Sequence, residues 1–228
     1  MKLPEAVAVM TLPGATLFPQ SMMPLFIFEP RYRRMLADML ASHRMFSVAM
    51  QKPDKMRESP CPVAGLGFIR ASVSHNDGTS HLVLQGLARV ELGSAIQTRP
   101  YRIHPIRALL PPATDSIAVD ALVARVHELV AERLRLTPTP LPFAMLDVPN
   151  TGGKNSPGKA AAIPIRDVLR YLESLPGPEQ LADLVASALL PQGEQRQAIL
   201  ETVPVEQRLR QLVRFLLGDI ASHRNPPA

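Results

Sequence analysis

The sequence predicts an α+β protein with strands first and helices second, the change falling near residue 115. Three observations carry that prediction. Short β-competent apolar runs, parted by turn-forming residues, fill positions 5–110. Asp77-Gly78 lies between two such runs and is the strongest short hairpin signal in the chain. Beyond "LLPPATDS" (109–116) the apolar spacing becomes that of amphipathic helices.

"EAVAVMTL" (5–12) and "MPLFIF" (23–28) are the first two strands, separated by the turn-prone "PGATLFPQS". A helix over about 30–41 follows. Its apolar residues fall at Tyr32, Met35, Leu36, Met39 and Leu40, the spacing of one helical face. Pro30 suits the first helical position, and Glu29 places negative charge at the positive end of the helix dipole. Arg31, Arg33 and Arg34 could grip an acidic ligand. The spacing favours a solvated helix face, with Arg34 and Asp38 at ion-pair separation.

"RMFSVAM" (44–50) is a third strand, and 62–98 hold two more around the Asp77-Gly78 turn. Gly65, Gly67, Gly86 and Gly93 punctuate these strands, as bulges or sharp bends would. "YRIHPIRALL" (101–110) supplies the last strand, with Pro105 marking it as an edge or bulged one.

In the second half, Leu122, Val126, Leu129, Val130 and Leu134 share a helical face behind an N-cap at Asp115 or Ser116. Residues 137–163 have no periodicity and are expected to form a mobile loop. Helices follow over about 165–175, 178–190 and 193–221, the last split at Pro204. Its apolar stripe is Val205, Leu209, Leu212, Val213, Leu216 and Ile220, which leaves Arg208, Arg210 and Arg214 on the other sides. The tail from Ser222 is expected to be disordered.

Apolar residues make up 46% and charged residues 20% of the 228, a globular balance rather than a disordered one. No run reaches the roughly 18–20 apolar residues that span a bilayer, and no secretory signal pattern is present. The single cysteine, Cys61, allows no internal disulfide, so a cytoplasmic protein is expected. Residues 1–115 hold 13 Lys and Arg against 8 Asp and Glu, whereas 116–228 hold 12 of each. The net charge of +5 therefore belongs to the first half, a balance open to polyanions but also ordinary for a surface.

Chemistry-bearing patterns are sparse. Gly153–Ala160 matches a phosphate-binding loop until Ala160, which lacks the hydroxyl that would meet Mg²⁺. His43, His75, His81, His104, His127 and His223 show no ligand spacing; His75 and His81 could meet across the hairpin but lack a third ligand. Cys61 has no histidine nearby to activate it. Met22, Met23, Met35 and Met39 could form an adaptable apolar surface, with core filling the simpler reading. Phe68 with Arg70, and Tyr101 with Arg102, are the nearest approach to nucleic-acid stacking platforms. No catalytic, cofactor-binding or metal-ligating residue is assigned, and the partner-binding residues stay unknown.

Together, "LPGATLFPQSMMPLFIFEPRYRRML", "GLGFIRASVSHNDGTSHLVLQGLARVEL", "RPYRIHPIRAL" and "QLADLVASALLPQGEQRQAILETVPVEQRLRQLVRFL" resemble the Lon-protease N-terminal domain, in its stand-alone bacterial form. The resemblance covers nearly the whole chain apart from 137–163 and the tail. It implies a PUA-like β-barrel over 1–115 with one inserted helix, then a helical bundle over 116–228. The residues matching the family pattern are Pro19, Phe28, Glu29, Arg31, Tyr32, Gly67, Gly78, Gly86, Arg89, Pro100 and Tyr101. Structural roles are expected for them: bends for Gly, turns for Pro, packing for Phe and Tyr. By the same resemblance the function is non-enzymatic binding of unfolded polypeptide or a partner protein, as an adaptor in protein quality control, without ATPase or protease domains. An RNA-binding PUA-like protein is the alternative. No cofactor and no membrane association are expected, and homodimerisation is left open.

Overall fold

The computed structural model describes residues 3–112, 116–136 and 164–224. The chain forms two compact units, one of Met1–Ala113 with Pro191–Pro204 and one of Thr114–Leu190 with Val205–Ala228. The Gly153–Ala160 segment and the rest of 137–163 lie outside the described residues.

Unit 1 contains β1 (Ala6–Leu12), β2 (Met22–Ile27), α1 (Pro30–Leu40), β3 (Met45–Met50), β4 (Val63–Ser74), β5 (Ser80–Leu92) and β6 (Arg102–Ala108). The sheet order is β2-β5-β4-β3-β1-β6, and β6 pairs again with the end of β5. Only β1 and β3 run parallel. The α+β class, strands before helices, is as the sequence predicts. The hairpin turn also lies where expected: Gly78 has φ +79°, and the Asp77 carboxylate accepts from the Thr79 amide and hydroxyl. The left-handed φ at Gly78 is why glycine stands there.

Two apolar clusters lie on opposite sides of the sheet. Strand alternation sends Ala8, Met10, Phe46 and Val48 to one, and Val7, Val9, Met45 and Ala49 to the other. The first also receives Tyr32, Met35, Leu36 and Met39 from α1. Burying each of these side chains contributes about 1.5–3 kcal/mol, which is what holds α1 on that side. Leu40, expected on the same stripe, lies at its exposed rim.

Three expectations need correction. Gly65 and Gly86 serve close approach: a Cβ on either would come 2.0 or 1.9 Å from the carbonyl oxygens of Leu17 and Phe18, which lie across the sheet. Of the four glycines, Gly67 and Gly86 do border a β-bulge, where Leu87 is the extra residue of β5. β6 is no edge strand, since β1 and β5 flank it. Pro105 is tolerated because the β5 ladder starts one residue later, at Ile106. Finally, α5 (Gly193–Glu201) was expected in the helical half but belongs to unit 1. Arg89 Nε donates to Leu200 O at 3.1 Å and Gln197 Nε2 to Val63 O at 2.9 Å, while Ile199 and Leu200 are buried.

Unit 2 comprises α2 (Ile117–Leu136), α3 (Ile165–Glu173), α4 (Pro178–Leu189) and α6 (Val205–Arg224). Ser116 caps α2, its hydroxyl accepting from the Val119 amide at 3.3 Å. Arg208 departs from the sequence reading: it is 0% exposed rather than on a solvated side, because Asp183 of α4 meets it at 3.2 Å. A second buried pair joins Arg133 of α2 to Asp219 of α6. α6 also continues through Arg224, three residues into the expected disordered tail. No helix among the described residues is long and apolar enough to cross a membrane.

Removing one member of a buried ion pair leaves an uncompensated charge. Asp183→Ala should therefore lower unfolding free energy by about 3–5 kcal/mol in urea denaturation. Arg210→Ala, which breaks the exposed Arg210–Glu206 pair, should change it by less than about 0.5 kcal/mol.

Candidate functional site

The end of the β4–β5 hairpin, with β2 alongside, forms a three-stranded tip with two unlike faces. Ile27, Leu25 and Met23 of β2 pair with Ser80, Leu82 and Leu84 of β5. These side chains face inward, where Ile27, Leu82 and Leu84 join the cluster under α1. The alternate residues face outward in three rows. Phe26 pairs with His81 and His81 with Val73; Pro24 pairs with Val83 and Val83 with Ala71; Met22 pairs with Gln85 and Gln85 with Phe68.

That outer face is apolar and open. Phe26 is 49% exposed, Phe28 59%, Met22 42% and Val73 60%. The rings of Phe26 and Phe28 stack with centroids 5.9 Å apart, and His81 lies 4.7 Å from Phe26. A groove of about 370 Å³ runs over the first two rows. Aromatic surface left in water at this scale marks a contact site more often than chance exposure does.

β2 is also the open edge of the sheet. The Gly86 amide donates to Ser21 O at 2.9 Å, so in the β2 register that follows, odd-numbered residues turn their backbone groups toward β5 and Met22, Pro24 and Phe26 turn theirs to the open edge. Pro24 therefore presents its missing N–H at the free edge, which blocks continuous addition of another strand. Ligands are left the face rather than the edge.

A second concavity of unit 1 has no aromatic ring. It measures about 490 Å³, and Pro13, Met50 and Pro53 line it together with Gln51, Lys52, Lys55 and Glu194.

Residues 6–218 match the family model for the "ATP-dependent protease La (LON) substrate-binding domain". The chain belongs to the Lon substrate-binding domain family. It is 26% identical over 220 residues to the Lon protease of Desulfosudis oleivorans, covering 94% of this chain and 24% of that protein. With Lon protease 1 of Herpetosiphon aurantiacus it shares 28% identity over 229 residues, covering 96% and 25%. The chain thus spans about a quarter of the length of the curated relatives it matches. The fold is that of the N-terminal domain of Mycobacterium avium complex Lon protease, with TM-score 0.68, 19% identity and coverage of 93% and 98%. A Lon N-terminal domain protein from Xanthomonas campestris aligns with TM-score 0.61, 18% identity and coverage of 92% and 98%.

Most family-pattern residues of this Lon domain hold the scaffold together. Tyr32 Oη accepts from the Thr11 amide at 3.2 Å and sits 3.3 Å from the Thr11 carbonyl; Tyr101 Oη donates to Asp38 at 2.8 Å. Arg31 bonds Glu29 at 2.8 Å and also pairs with Glu58, while its guanidinium lies 4.3 Å from the Tyr32 ring centroid. Arg34 pairs with Asp38 at 3.2 Å, and Arg33 lies against the Gly78 turn. The three arginines do not converge on a ligand position. Phe28 departs from the packing role expected of it and belongs to the open face.

The remaining candidates separate. Met35 and Met39 are core and Met23 packs against it, so only Met22 of the four reaches the surface. His75 Nε2 and His81 Nδ1 do meet, at 2.7 Å. Among the described residues no group of three or more His, Cys, Asp or Glu could hold a metal. His43 Nδ1 accepts from the Met45 amide, and burial lowers its pKa; His104 Nδ1 donates to Gly93 O at 2.7 Å. Tyr101 is buried, and Arg102 is held by Glu58 at 3.4 Å, so that pair offers no open stacking platform.

Cys61 is buried, and that burial, with Glu201 nearby, pushes its thiol pKa up. Less thiolate means slower alkylation. Iodoacetamide at pH 8 should modify the native protein at least about tenfold more slowly than the same chain in denaturant, as read by mass spectrometry.

Proposed function

We propose that this chain is a non-enzymatic polypeptide-recognition module that takes exposed apolar segments of unfolded proteins onto the outer face of the β2–β5–β4 tip. It serves cytoplasmic protein quality control as an adaptor. One observation carries the reading: Phe26, stacked on Phe28 and like it about half exposed, lines a groove on a sheet face that α1 leaves uncovered. Membership of a substrate-binding domain family supports it.

Physically, an unfolded segment gains by covering apolar area at roughly 25 cal/mol per Å². Rigid aromatic anchors add contact area with little loss of side-chain freedom. Such a face reads apolar character rather than sequence, which suits a partner whose fold has been lost.

The test is binding of fluorescently labelled, permanently unfolded casein by anisotropy. Phe26→Asp should weaken binding about tenfold or more, since an anchoring aromatic at an interface is worth about 2 kcal/mol. Met56→Ala, at a fully exposed residue elsewhere, should leave binding unchanged. Equal affinity in Phe26→Asp and the unaltered protein would overturn the assignment of the site.

A further inference from the structure

The outer face of the tip has an electrostatic polarity that its apolar surface alone does not explain. At the end nearest β3, the guanidiniums of Arg44 and Arg70 each lie 5.8 Å from the centroid of the Phe68 ring. Arg31, Arg34, Arg102 and Arg107 are all in ion pairs. Arg44 and Arg70, by contrast, have no carboxylate within ion-pair distance among the described residues. Arg70 is exposed and steadied by Gln85 of the third outward row, and Arg44 Nε is buried without a hydrogen-bond partner among the described residues.

At the opposite end stand His75 and His81. Positions 22, 24, 26, 28, 68, 70, 71, 73, 75, 81, 83 and 85 include no Asp or Glu. The nearby carboxylates are engaged elsewhere, Asp77 by Thr79 and Glu29 by Arg31.

We propose that the preferred occupant of this face is an apolar segment of about four residues closed by an acidic residue, its carboxylate resting against Arg70 and Arg44. This inference rests on the polypeptide-recognition reading and names the class of segment it selects. From the Phe68 row to the Val73 row the strands advance by about four residues, roughly 13 Å at 3.3 Å per residue, and this sets the length of the apolar part. The two guanidiniums set its charged end, because a desolvated arginine donor gains most from a carboxylate. A basic flank would meet like charge at that end and no compensating acid along the face.

Three labelled peptides with one shared apolar core, flanked by Glu, Ser or Lys, provide the test. Anisotropy at physiological ionic strength should show the Glu-flanked peptide binding about fivefold tighter than the Ser-flanked one, and the Lys-flanked one weakest. Arg70→Glu, at an exposed position, should invert the order while its thermal unfolding midpoint stays unchanged. Phe26→Asp should weaken all three together. Equal affinity for the three peptides, with Phe26 dependence intact, would overturn the acidic-flank preference and leave the recognition reading standing. An order unchanged by Arg70→Glu would overturn it as well. If no peptide binds, or none responds to Phe26→Asp, both readings fall. Displacement of the Glu-flanked peptide by mixed-sequence single-stranded RNA with higher affinity would overturn the proposal in favour of a polyanion.

Discussion

The packing of α1 against the inner face of the three-stranded tip is the contact on which the rest of unit 1's surface depends. Tyr32, Met35, Leu36 and Met39 share one apolar cluster with Ile27, Ile69, Leu82 and Leu84. Because side chains alternate across a strand, fixing Met23, Leu25 and Ile27 inward also fixes Met22, Pro24 and Phe26 outward. A shift of one residue in β2 would exchange the two sets. Among the described residues no helix of unit 1 covers the outer set, so burying one face creates the other.

Close packing holds the base of the tip. Leu17 and Phe18 lie across the sheet at the two positions where glycine removes the obstruction, Gly65 and Gly86. Arg89 reaches under this layer: its guanidinium lies 6.0 Å from the Phe18 ring centroid and its Nε bonds the Leu200 carbonyl of α5. A segment far along the chain thereby closes the strand layer begun at the N-terminus. A binding face built on strands of this kind holds its geometry better than one built on loops.

How much of this was legible in the sequence depended on whether the signal was local. The Asp77-Gly78 turn and α1 were legible because the turn's left-handed backbone and the helix's apolar period are written in neighbouring residues. The side of α5 was not, since distant residues decide it, among them Arg89, Val63 and Gly14. Arg208 misled for the same reason: its counter-charge, Asp183, sits 25 residues earlier on another helix. β2 concealed the candidate site most completely. In "MMPLFIF" both alternating sets are apolar, a pattern that reads as a strand buried on two sides, and Phe28 read as core. Only the position of α1 decides which set meets water. Pro24 was a local hint but not a decisive one, because proline in a strand marks an open edge or, as at Pro105, a place where one ladder is interrupted.

The most direct test of this account is a methyl NMR titration of the intact chain with an unfolded polypeptide, following Met, Val, Leu and Ile resonances. Met22, Val73 and Val83 should shift in proportion to occupancy, while Met35 and Met39 on the buried side of α1 and Met56 elsewhere on the surface stay in place. Saturable binding that leaves those three tip methyls unmoved, or moves Met50 at the second concavity instead, would contradict the claim that the uncovered face of the tip is where polypeptide is held.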